Sequence, residues 1–166
     1  MSPGTDAIRV TTVVAADPAT AFELFTRETD AWWRRGPRFR HGGNRPSTMR
    51  FEPFEGGRLL EEFEDADGGA FEVGHVRVWK PAERVVFTWR ANAFEAGLTT
   101  EVEVHFAAVE RGTRVTLEHR GWDEVPLENA ARHGYGKSEA FVSMIGLHWG
   151  DQIAAFRRYG VAKETA

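Results

Sequence analysis

Two side chains in this sequence stand where acid–base chemistry would need them. Glu61 is in phase with Leu59 and Phe63 along a strand-like run. If those two point inward its carboxylate does too, and a buried carboxylate must be paired or hold its proton more tightly. The ordinary alternative is an ion pair with an arginine of a neighbouring strand, or a bulge that returns it to water. His119 shares the face of Val115 and Leu117 and precedes Gly121-Trp122. Turned inward, it either orients a ligand or sits as a hydrogen-bonded core histidine.

Other chemistries lack their residues. The six histidines, at 41, 75, 105, 119, 133 and 148, form no His-x-His pair, His-Glu-x-x-His helix or facial-triad spacing, so no metal is expected. Without cysteine there is no thiolate nucleophile, disulfide or Cys-bearing zinc site. No Gly-x-Ser-x-Gly elbow and no Gly-rich phosphate loop occurs, so no cofactor is expected and no residue is assigned as catalytic.

One stretch mixes arginine with aromatic rings: Trp32-Trp33-Arg34-Arg35-Gly36-Pro37-Arg38-Phe39-Arg40-His41, with Arg45 beyond. Single-stranded nucleic-acid sites combine these residue types. The chain nevertheless has 21 Lys and Arg against 25 Asp and Glu, a net charge of −4, and nucleic acid is not expected as a partner. The remaining readings are an anion-steering cavity mouth with Trp33, Arg35 and Arg38, or arginine stems laid over rings on a solvated loop.

The elements that must position these residues follow from pattern. At 166 residues, 42% hydrophobic and 12% aromatic, the chain suits one domain, taken as 8–160, with a disordered lead at 1–7 and a tail at 161–166. Residues 8–14 are β-branched apart from Arg9, and a run of this length predicts a strand. Asp17-Pro18 supplies an N-cap and a pre-set first turn for a helix ending near Arg27, and a short helical piece follows at 30–33. Strands are predicted at 48–54, 58–64, 71–80, 84–91, 99–110 and 113–120, broken by turn residues such as Asp67-Gly68-Gly69 and Arg111-Gly112. Parity sends His75 and Arg77 to solvent opposite Val76 and Val78, although Phe71, Val73 and Trp79 share the parity of the former pair. A long helix is predicted over 138–159, stopped by Gly160. The N-terminus has no signal-like apolar segment and no 18-residue apolar run occurs, so a soluble cytoplasmic protein without a membrane span is expected.

Taken in order along the chain, several motifs resemble the activator-of-heat-shock-protein-90-ATPase-like branch of the START/SRPBCC superfamily. They are Asp17-Pro18 with Ala21-Phe22, Trp32-Trp33, Gly56-Gly57-Arg58 with Glu61, Gly74 with Val76, Pro81, Arg84-Val85-Val86-Phe87-Thr88-Trp89, Gly112 to Leu117, His119, Gly121-Trp122 and Trp149. The resemblance implies an α+β helix-grip fold, with a curved antiparallel sheet of about seven strands wrapped around the long C-terminal helix and two short helices after the first strand. It also implies an internal hydrophobic cavity for an apolar or amphipathic ligand. Phe51, Glu61, Phe87, Trp89, Val102, Val104, His119, Phe141, Ile145 and Trp149 are the expected lining. A chaperone ATPase as docking partner, and a cyclase- or hydrolase-type enzyme using Glu61 or His119, are the alternatives it leaves open. A monomer or homodimer is expected.

Overall fold

Asp17 accepts a hydrogen bond from the Thr20 amide (2.7 Å) and Pro18 fixes the first turn of helix α1, Pro18–Arg27. A second short helix, α2 (Thr29–Trp32), follows at once. This pair interrupts a sheet of seven antiparallel strands: β1 Ile8–Val14, β2 Ser47–Phe51, β3 Arg58–Phe63, β4 Ala70–Lys80, β5 Arg84–Trp89, β6 Thr100–Val109 and β7 Gly112–Arg120. The order β1-β7-β6-β5-β4-β3-β2 returns the last strand beside the first. The long helix α3 spans Glu139–Thr165 and packs along β1 and α2. This is the helix-grip architecture that the resemblance implies. The computed structural model describes residues 7–136 and 139–165, so the predicted helix start at 138 and most of the predicted lead at 1–7 lie outside the described residues. No helix among them is long and apolar enough to cross a membrane.

The parity conflict in β4 has a physical resolution. The β3 register skips Val73 between the Leu59–Gly74 and Leu60–Glu72 pairs, and the β5 register skips Arg77 between Val76–Phe87 and Val78–Val86. Each extra residue flips the faces that follow. Val73 and Val76 can therefore both be buried while His75 and Arg77 stay exposed, and Trp79 packs edge-on against Phe22 at 5.2 Å.

Gly160 does not stop α3, which continues to Thr165. The segment after 160, expected as a tail, is helical as far as it is described. Gly160 is buried, and a Cβ there would meet Val14 Cγ1 at 2.6 Å. Its missing side chain lets the helix pass close over β1, which is a packing role that a C-terminal pattern imitates in sequence. On either side of it, Tyr159 donates a hydrogen bond to Glu28 and Lys163 stands 3.3 Å from the same carboxylate, tying the helix end to the start of α2.

Candidate functional site

The arginine-rich loop is a strapped wall. Glu61 is fully buried and accepts from the backbone amides of His41 (2.7 Å) and Gly42 (2.9 Å). The His41 ring lies 3.5 Å from the same carboxylate through Nδ1, while its Nε2 donates to the Arg90 carbonyl at 2.8 Å. Burial pushes the Glu61 pKa up, but the His41 ring and the two amides outweigh that and leave it lowered. A Cβ on Gly42 would strike the Phe63 ring at 2.2 Å, so only glycine brings this amide close enough. The partners of Glu61 are thus the backbone and the His41 ring of the loop, and not an arginine of a neighbouring strand.

The loop's arginines are also engaged. Arg40 is buried and donates to the carbonyls of Trp33, Arg34 and Ser47 and to Asp30. Arg35 also pairs with Asp30 at 3.0 Å, Arg45 with Asp65 at 2.7 Å, and Arg38 with Asp151 at 2.7 Å, with Arg34 at 3.9 Å from the same carboxylate. Arg34 and Arg38 both lie 5.0 Å from the centre of the Phe39 ring. The reading of stems laid over rings fits these contacts.

Behind this loop lies a pocket of about 460 Å³, within the ordinary range for small-molecule sites. Its walls are the loop from Pro37 to His41, the end of β5 with Ala91 to Ala93, the turn around Ala130 and Ala131, and one face of α3. Four of the ten predicted lining residues reach it: Trp89, His119, Ile145 and Trp149. Phe51, Phe87, Val102, Val104 and Phe141 belong to the packed core, and Glu61 holds the wall from behind. Of the predicted mouth, Arg38 lines the pocket. Arg35 points elsewhere, and Trp33 is buried with its indole N–H on the Phe39 carbonyl at 3.0 Å. The end of the sheet near Phe51 is solid because α1 and α2 fill it with the rings of Phe22, Phe25 and Trp32.

His119 is a satisfied core histidine. Trp149 donates to its Nδ1 (2.8 Å), so Nε2 carries the proton and donates to Thr100 Oγ1 (2.6 Å), whose hydroxyl donates to the Trp89 carbonyl. Burial, and then the nearby His148, holds its pKa well below the usual value. With both nitrogens committed, it has no free position from which to exchange a proton with a ligand.

Three rings of this wall are different. Trp89 Nε1, Trp122 Nε1 and His148 Nε2 are buried and have no hydrogen-bond partner among the described residues, whereas the other unbonded ring nitrogen of the wall, His41 Nδ1, faces Glu61 at 3.5 Å. His148 stacks near Phe39 (5.2 Å between ring centres) and bonds the Arg38 carbonyl, which leaves Nδ1 as the donor and Nε2 as the bare atom. Burial, with the neighbouring cation Arg38, lowers its pKa to about 4, so at neutral pH Nε2 is an acceptor. Trp122 and His148 were visible in sequence, one beside Gly121 and the other on the apolar side of the last helix, but nothing in their spacing separated a pocket wall from a core. Among the described residues no group of three His, Asp or Glu side chains converges as metal ligands would.

Residues 15–143 match the family described as activator of Hsp90 ATPase homolog 1-like protein. No curated protein matches the chain in sequence. In fold it is similar to a protein from Cytophaga hutchinsonii (TM-score 0.66, 13% identity, 96% of this chain and 97% of that one). A protein from Rhodobacter sphaeroides is comparable (0.64, 19%, 97% and 96%), as is NE0264 from Nitrosomonas europaea (0.64, 14%, 100% and 100%).

Proposed function

From the premise that the chain belongs to the activator of Hsp90 ATPase homolog 1-like family of the START/SRPBCC superfamily, we propose that it binds a small apolar or amphipathic molecule in the pocket between the Pro37 to His41 loop and α3. The observation that carries this reading is the coincidence of an aromatic-walled space with the Trp89, Trp122 and His148 rings, whose buried nitrogens are unpartnered among the described residues. Each such group costs about 1–3 kcal/mol unless something pairs with it, and a seated ligand is the natural partner. The enzyme alternative draws less support, since Glu61 is bound to the loop backbone and both nitrogens of His119 are occupied. Docking on a chaperone ATPase draws on no surface feature among the described residues.

Native mass spectrometry of freshly purified protein is expected to find a co-purifying small molecule, or failing that, saturable binding of an aromatic probe that quenches tryptophan fluorescence. Ala131→Trp, which places a ring in the pocket from the opposite wall, is expected to abolish that binding with the fold intact. Unchanged probe affinity in this variant would place the binding elsewhere and end the reading.

A further inference from the structure

The wall also says what kind of molecule fits. Apart from His41 Nδ1, which faces Glu61 at 3.5 Å, its unpartnered atoms among the described residues are two donors and one acceptor: the indole N–H groups of Trp89 and Trp122, which can only donate, and His148 Nε2, which at neutral pH accepts because Nδ1 holds the proton against the Arg38 carbonyl. Among the described residues no Asp, Glu or Lys lines the pocket. The two arginines that do are already spoken for, Arg38 by Asp151 at 2.7 Å and Arg40 by Asp30 at 2.8 Å, along with three backbone carbonyls for Arg40. A carboxylate or phosphate entering here would meet neutral donors and find no unpaired arginine, while its oxygens would face the lone pair of His148. The faces of Trp89, Trp122 and Trp149, with Phe39 and the His119 and His148 rings, favour a flat molecule.

Resting on the ligand-binding reading above, we propose that the pocket takes an uncharged, flat ligand bearing a carbonyl oxygen for the Trp89 and Trp122 indoles and a hydroxyl for His148 Nε2. This replaces the anion-steering reading of the arginine loop: the arginines brace the wall, and the polarity of the site resides in rings. The three nitrogens are covered by neighbouring atoms, so the ligand reaches them by a small shift of the wall rings and tryptophan emission should report its arrival.

Four naphthalenes of similar size test this by isothermal titration calorimetry at neutral pH: 6-acetyl-2-naphthol, 2-acetylnaphthalene, 2-ethylnaphthalene and 6-hydroxy-2-naphthoate. The acetyl-naphthol is expected to bind at least tenfold more tightly than the naphthoate, with the acetyl group improving on the ethyl compound and the hydroxyl improving on 2-acetylnaphthalene. In His148→Leu the gain from the hydroxyl is expected to fall below threefold while the gain from the acetyl group persists. Equal or tighter binding of the naphthoate overturns the proposal, as does a hydroxyl gain that survives His148→Leu. If all four bind alike, the pocket reading stands and this inference falls. If none binds, the pocket reading fails and takes the inference with it. Should His148→Leu not fold, the order of the four compounds on the parent protein decides alone.

Discussion

At one end of the space under α3, Phe156 meets Phe25 and Trp32 with ring centres 5.4 and 5.3 Å away, and Phe25 also touches Phe51 and Phe106. At the other end, Trp122 gathers His119 and Phe141, both at 5.0 Å, and Trp89 at 5.9 Å. The two clusters use the same residue types and similar spacings, yet one is solid and the other borders a pocket. What differs is the cover. Helices α1 and α2 close the first end, and there the Trp32 indole donates to the Leu24 carbonyl of α1 at 3.2 Å. Loops close the second end, and there two of three indoles have no partner among the described residues, Trp149 being the exception through His119. A helix satisfies its own backbone and can lie flat on a ring cluster, whereas a loop must be strapped and stands off.

The largest effect should separate the ends by packing. Phe25→Ala is expected to cost about 3–5 kcal/mol in urea unfolding, because the site is ringed on every side. Ile145→Ala, which already borders the pocket, is expected near the lower end of the roughly 2–5 kcal/mol range for such truncations. Equal losses at the two sites would show that the pocket end is as tightly filled as the other and would break the comparison.

Acid should attack the loop-covered end. His148 carries a pKa lowered to about 4 from 6.5, so between those values the unfolded chain binds a proton that the folded one refuses. Its contribution is complete above pH 6.5 and is lost as pH falls toward 4, about 3 kcal/mol over the window. His119, also lowered, acts in the same direction. The groups bearing on His148 are Arg38, His41, His119 and Asp151. In His148→Leu, unfolding free energy measured from pH 7 down to 4.5 is expected to fall less steeply than in the parent. An unchanged slope would take His148 out of the acid response.

Glu61→Ala tests the strap. It leaves the His41 and Gly42 amides buried without their acceptor, and a stability loss of about 1–3 kcal/mol is expected, together with loss of probe binding as the Pro37 to His41 wall loosens. Because the Glu61 pKa is lowered in the fold, the carboxylate stabilises above its ordinary value of 4.5 and that contribution disappears as pH falls through the folded value. A Glu61→Ala protein that binds probes with parental affinity would show that the wall stands without it.

How far the sequence could be read follows from the same contrast. The strands, their turns and α1 were legible because alternation, Asp17-Pro18 and paired glycines are local signals with local causes. The β4 faces were ambiguous because Val73 and Arg77 are extra residues whose effect appears only in the register with β3 and β5. Gly160 was misread because a glycine that ends a helix and one that lets it pass close to Val14 look alike in one dimension. At the site, inward parity correctly buried Phe51, Phe87, Val102 and Val104, but parity reports burial and is silent on whether a ring meets another ring or an open space. That depends on which segment arrives to cover it, and the covering loop is held by Glu61 through contacts some 20 residues apart.

The smallest expected change in stability is the most discriminating. Ile145 lies on α3 facing the pocket, one helical turn from Trp149. Adding an indole in a close-packed interior typically costs about 1–3 kcal/mol, since neighbours must leave their rotamers or the backbone must move. In a pocket of about 460 Å³ the same ring has somewhere to go, and it covers apolar wall that water now touches, which offsets the loss. Ile145→Trp is therefore expected to unfold within about 1 kcal/mol of the parent while losing affinity for every aromatic probe. The matched change at the helix-covered end, Ala21→Trp, has no such room, for Ala21 is fully buried in α1, and it is expected to destabilise strongly. If Ile145→Trp behaves like Ala21→Trp, the space behind the arginine loop closes in solution and cannot be the site of a ligand.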